Sequence, residues 1–180
     1  MTDHPSGPSD STHKTANRHH LGGGRSLGFV VLSVSDTHTE EDDPSGDLAR
    51  KLLSDGGHKV LHYGLVANSV ADVRDWLEPR MAEIPVEVGL TIGGTGVSSR
   101  DLTIAALEGM GGKTLEGFGQ IYRAVSFEEV GPLAWMSRAS LFLLRNKPVF
   151  AVPGSERAVR TALEKLVLPA VQHLVEELER

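Results

Sequence analysis

The stretch Val86-Glu87-Val88-Gly89-Leu90-Thr91-Ile92-Gly93-Gly94-Thr95-Gly96-Val97-Ser98-Ser99-Arg100-Asp101 decides the architecture. Residues 86–92 are a short β-rich apolar run of the kind found in a strand buried on both faces. The run passes directly into a glycine loop, and the polar residues after it open a helix near Asp101. Strand, glycine loop and helix in this order make the first half of a βα unit.

The same alternation extends outward in both directions. Residues 27–34 (LGFVVLSV) and 59–65 read as strands, and 148–152 is a short, strongly apolar one. Between them, residues 43–54 place Leu48, Ala49, Leu52 and Leu53 on one helical face, with Pro44 in the first turn and Gly56-Gly57 as the stop. Ser69 followed by Asp72 starts a helix toward Ala82. Residues 126–145 are expected to be mainly helical with a break at Gly131-Pro132, and the apolar run from Leu133 to Leu144 reads equally as a core helix or a subunit contact. A last helix begins near Gly154-Ser155 and carries Val159, Leu163, Leu166, Ala170, Leu174 and Leu178 on one stripe, with a kink or restart at Pro169. Short strands separated by helices predict right-handed crossovers and a mostly parallel sheet covered on both faces, an α/β fold.

Composition removes several function classes. The chain has 180 residues, 39% hydrophobic and 23% charged, which is enough for one packed domain. It contains no cysteine, so disulfides, zinc–thiolate sites and cysteine nucleophiles are excluded. A formal charge of −6 argues against a nucleic-acid partner, and no apolar run approaches the length of a membrane span. Residues 1–25 hold four of the eight histidines among Ser, Thr, Pro, Gly and Asn, and are expected to be a disordered tail without function. Their three apolar residues, Met1, Ala16 and Leu21, do not make a signal peptide, so a cytoplasmic location is expected. The remaining domain spans residues 26–180.

Ligands of open parallel sheets bind beyond the carboxyl ends of the strands. Three loops leave those ends: Ser35-Asp36-Thr37, Gly93-Gly94-Thr95-Gly96 and Pro153-Gly154-Ser155. Glycines let backbone N–H groups converge on an anion, and Thr95, Ser98 and Ser99 add hydroxyls. No Gly-Lys-Ser/Thr follows, so this is not a Walker A loop, and Ser99 stands where the third glycine of a dinucleotide fingerprint would be. Judged alone, the loop is equally a tight turn in which Ser99 or Asp101 caps the helix. Asp101 is also suited to hold Mg²⁺ beside bound phosphates. Asp36 offers the same two readings. Glu40-Glu41-Asp42-Asp43 reads as a solvated acidic loop before a helix. Arg100, Arg138 and Arg157 are candidate anion partners, each read singly as a surface charge.

Ser35-Asp36-Thr37 through Asp43-Pro44-Ser45-Gly46, then TIGGTGVSSRD, Glu116-Gly117-Phe118-Gly119, SFEE at 126–129, Ser137-Arg138 and Pro153-Gly154-Ser155 occur in this order. The set resembles the MoaB/MogA family of molybdenum-cofactor biosynthesis proteins, on the MoaB side, over residues 27–178. The resemblance implies a three-layer α/β/α molybdopterin-binding domain assembled as a homotrimer or homohexamer. It further implies a molybdopterin adenylyltransferase that joins AMP from Mg-ATP to the terminal phosphate of molybdopterin and releases pyrophosphate. Under it, Gly93, Gly94, Thr95 and Gly96 with Ser98 and Ser99 form the pterin loop, and Asp101 is the catalytic acid and Mg²⁺ holder. Phe118, Ser137, Arg138, Pro153, Gly154 and Ser155 line the pocket, with Ser35 and Asp36 at its edge. Active members carry a second aspartate after strand two, where this chain has Asn68. Asparagine keeps the shape but not the charge, which leaves a catalytically silent pterin-binding oligomer as the alternative.

Overall fold

In the computed structural model, residues 24–180 are described, and the expected tail therefore lies outside the described residues except for its last two positions. Arg25 is one of those two. It is tied to the domain by ion pairs with Glu87 and Glu179.

The chain runs β1 (Gly28–Val34), α1 (Pro44–Asp55), β2 (Lys59–Val66), α2 (Val70–Met81), β3 (Val88–Ile92), α3 (Thr103–Gly109), β4 (Lys113–Thr114) and α4 (Glu116–Val130). A 3₁₀ turn over Gly131–Met136 then leads into β5 (Ser140–Leu144), β6 (Lys147–Val152), α5 (Glu156–Ala162) and α6 (Leu168–Leu178). The sheet order is β2-β1-β3-β6-β5-β4, with the first four strands parallel, β5 antiparallel to β6, and β4 antiparallel to β5. Every residue of β1 and β3 is buried, as expected for strands sandwiched between helices.

Two cores result. Phe29, Val31, Leu90 and Phe150 face α1, α4, α5 and α6 through Leu53, Tyr122, Val159 and Val171. Val30, Leu32, Val149 and Ala151 face α2 and α3 through Val73, Leu77, Ile104 and Leu107. The alternation of consecutive β1 residues between the two clusters is the period-two geometry of a strand. It makes the domain a three-layer α/β/α sandwich.

The expected helix over 126–145 is corrected. Helix α4 starts ten residues earlier, at Glu116, and stops at Gly131, whose φ of +60° ends the α geometry. Residues 140–144 form a strand instead, with Leu141 in one core and Phe142 and Leu144 in the other. The strand pairs with β6 through a two-residue turn at Arg145 and Asn146, both at positive φ (51° and 61°). That is the backbone of a type I′ hairpin without the glycine that usually announces it. The short β4 was also not anticipated. At the C-terminus the stripe holds, but residues 163–167 form a π-helical turn before Pro169, which sits in the first turn of α6 where its missing N–H is harmless.

Candidate functional site

Beyond the carboxyl ends of β1, β3 and β6, the three predicted loops meet around a cavity of about 590 Å³. The glycine loop forms its central wall. Gly93 has φ +96° and a side chain there would strike the Val34 carbonyl; Gly94 has φ +64° and a Cβ would fall 2.2 Å from Thr103 Oγ1. Both positions require glycine on two grounds, the left-handed backbone and the absence of room. The Gly93 N–H is spent on Val152 O, continuing the β3–β6 ladder. The N–H groups of Gly94, Thr95, Gly96 and Val97 have no acceptor among the described residues. Gly94, Thr95 and Gly96 line the cavity, and their consecutive free donors form an anion cradle there. It starts at Gly94, one residue later than expected.

Side chains from three other elements fix this loop. Thr103 Oγ1 donates to Gly93 O (2.8 Å) and its N–H to Gly94 O (3.1 Å). Arg138 donates its backbone N–H to Thr95 O, Nε to Gly96 O (2.8 Å) and Nη2 to Asp101 O (2.7 Å). Asn68 Oδ1 accepts from Leu102 N (3.0 Å), and the Asn68 N–H in turn donates to Asp36 Oδ1 (2.8 Å). Asp101 does not cap α3, which begins only at Thr103. Its Oδ2 turns back to accept from Ser98 N (2.8 Å), while Oδ1 has no partner among the described residues. The dipole of this seven-residue helix starts farther from the loop than the sequence suggested, which weakens its contribution there.

At the cavity floor, Asp43 is 5% exposed and caps α1, accepting from Gly46 N (3.0 Å) and from the Tyr63 hydroxyl (2.8 Å). Ser45 Oγ donates to Gly154 O (2.7 Å) and so pins the start of α1 to the β6–α5 loop. Burial pushes the Asp43 carboxyl up, but the Ser33 hydroxyl, the Gly46 N–H and the Tyr63 hydroxyl more than offset this and hold it below its ordinary value. Burial together with Asp43 pushes the Tyr63 phenol up, so it stays a donor. A depressed folded-state pKa stabilises the fold above the unfolded value of about 3.9 and ceases to do so as pH falls through the folded one. Asp43→Asn keeps a capping oxygen but not the charge. The variant is expected to melt lower than the parent at pH 7, and the gap should shrink as both are melted at progressively lower pH, below about pH 4. A gap independent of pH would contradict this account.

Of the predicted residues, Ser35, Asp36, Asn68, Gly93, Gly94, Thr95, Gly96, Ser98, Asp101, Ser137, Pro153 and Gly154 line the cavity. Four do not. Phe118 lies on α4 and turns onto the sheet, edge-on to Phe150 at 5.1 Å and stacked on Tyr122 at 6.3 Å. Ser155 caps α5 by accepting from Ala158 N. Ser99 is exposed outside the cavity, and Arg138 braces the loop from behind. Arg100, read as a surface charge, does line the cavity and has no ion-pair partner among the described residues. Asp43, Ser45 and Met136 also line it. The helix-start signal Asp43-Pro44-Ser45 marked the first two, but only as caps. No group of three His, Asp or Glu side chains able to hold a metal exists among the described residues. No described helix is long and apolar enough to cross a membrane.

The family model described as "Probable molybdopterin binding domain" matches residues 30–173. The chain belongs to the MoaB/MogA family. A Bacillus cereus relative, "Molybdenum cofactor biosynthesis protein B", is 40% identical over 151 residues, covering 83% of this chain and 89% of that one. A crystal structure of a molybdenum cofactor biosynthesis protein B superposes with a TM-score of 0.84 at 38% identity over 88% of this chain and 99% of that one. The tungsten cofactor synthesizing protein MoaB from Pyrococcus furiosus superposes at 0.75 with 30% identity, over 88% of this chain and all of that one. This MoaB-type chain is thus a molybdenum-cofactor biosynthesis protein, and the fold expected from the resemblance is the fold observed.

Proposed function

We propose that the cavity binds molybdopterin by its phosphate and transfers AMP to it from Mg-ATP. The observation that carries this reading is the run of unpartnered amides on Gly94, Thr95 and Gly96 in a cavity that Asp101 and Arg100 also line. In the reaction an oxygen of the pterin's terminal phosphate attacks the α-phosphorus of ATP. A P–O–P bond forms, the α–β bridging bond breaks, and pyrophosphate leaves with that electron pair.

The amides and Arg100 orient the anions and offset the charge that builds on them, which is how most of such an acceleration arises. Mg²⁺, when bound, neutralises phosphate charge. It needs only one or two protein carboxylates beside phosphate oxygens, and Asp101 Oδ1 fits that demand, with Asp36 Oδ2 on the cavity wall also unpaired among the described residues. A cytoplasmic setting accords with these co-reactants. Assembly as a homotrimer or homohexamer belongs to the same reading; in its support, Phe127, Leu133 and Trp135 on α4 and the 3₁₀ turn are 57%, 66% and 72% exposed.

Incubation with molybdopterin and Mg-ATP should yield adenylylated pterin and pyrophosphate in equal amounts. Pterin binding without any AMP transfer would overturn the enzyme and leave the silent pterin-binding oligomer, a reading favoured by one observation: Asn68 supplies no charge at the cavity wall.

A further inference from the structure

Asn68 sits where the β2–α2 loop touches the glycine loop, so close that a Cβ on Gly94 would lie 2.9 Å from its Oδ1. Its amide orientation is dictated by its partner. The Leu102 N–H can only donate, so the atom 3.0 Å away is the carboxamide oxygen and the other atom is the NH₂ group. That NH₂ has no acceptor among the described residues, on a side chain that lines the cavity next to the free amides of the loop. The Asn68 N–H is engaged by Asp36, which fixes the backbone beneath it.

We infer that Asn68 is a specificity-determining residue whose NH₂ group extends the anion cradle, so that at this one position a polyphosphate is held by a neutral donor and not through a further carboxylate-bound cation. The inference rests on the phosphate-binding reading above. With its oxygen already accepting from Leu102, Asn68 is left with its NH₂ as the unpartnered group, and a neutral donor needs no cation to tolerate a phosphate oxygen. A carboxylate at the same place would keep the bond to Leu102 with one oxygen and present a negative charge with the other, which a phosphate tolerates only through a bridging cation.

The test is calorimetric titration of the full chain with ATP, in the absence of pterin, with excess Mg²⁺ and again with excess chelator. For the parent, removing Mg²⁺ is expected to weaken binding to the extent that Asp101 and Asp36, which line the same cavity, need a bridging cation. For Asn68→Asp the same removal should weaken it at least about tenfold further, since a hydrogen bond to a charged group is replaced by repulsion. The melting temperature of Asn68→Asp should match the parent because the bond to Leu102 N survives. Asn68→Ala loses both bond and donor. It should bind ATP more weakly under both conditions with the parent's metal dependence, a pattern that a purely structural role cannot convert into the Asp result. Equal metal dependence in parent and Asn68→Asp would overturn the inference while leaving the phosphate site standing. Absence of ATP binding by the parent under both conditions would overturn the phosphate reading and the inference with it.

Discussion

Asp101→Asn is expected to lower the rate of AMP transfer by about 10²–10³-fold, the range found when one preorganised charge-stabilising group is removed from an active site. The substitution is nearly isosteric, and the amide oxygen can still accept from Ser98 N, so the loop keeps its shape. Arg138 holds the Asp101 carbonyl and not its carboxylate, which leaves that clamp untouched. What disappears is the only negative charge directly bonded to the glycine loop among the described residues, and with it one of the oxygens available to a cation bridging the phosphates. The melting temperature should therefore stay within about 2 °C of the parent, equivalent to less than ~1 kcal/mol. Single-turnover measurements with molybdopterin and Mg-ATP check the rate. A rate within threefold of the parent would remove Asp101 from the chemistry.

Gly94→Ala should act through the fold. A residue with a Cβ at φ +64° costs roughly 1–2 kcal/mol for the left-handed backbone alone. The new methyl would then fall on Thr103 Oγ1, which cannot simply rotate away because it donates to Gly93 O. Breaking that bond costs about 1 kcal/mol more. The sum, about 2–3 kcal/mol, corresponds to a melting temperature lower by roughly 4–12 °C for a domain of this size. Phosphate-ligand binding should fall below detection, because the Gly94 and Thr95 amides are the ones displaced. Thermal melts and ATP titrations on one sample check both. An unshifted melt would mean that the loop is softer than its hydrogen bonds imply.

The parallel half of the fold was legible because its strands are short, apolar and followed by strong helix signals: Pro44 after Asp43, Ser69 before Asp72. The antiparallel half was not. Leu141, Phe142, Leu143 and Leu144 suit a helix as well as a strand, and the turn that would have separated the two uses Arg145 and Asn146 without glycine. The site followed the same division. Residues acting through backbone geometry, Gly93 to Gly96, announce themselves by composition. Residues acting through direction do not: Phe118 and Arg138 carry suitable chemistry, but one turns into the core and the other toward carbonyls behind the loop. Arg100 was undervalued for the same reason, since nothing in a linear sequence shows which arginine faces a cavity.

The cavity walls are bonded to one another before any ligand arrives: Asp36 to Asn68 and on to Leu102, Ser45 to Gly154, Arg138 across the glycine loop. The entropy of ordering these loops is consequently spent during folding, so binding starts from a preorganised receptor and should involve little induced fit. Loosening any one of these ties would lower the fraction of molecules in the competent geometry and weaken apparent affinity by that same factor, even at residues the ligand never touches.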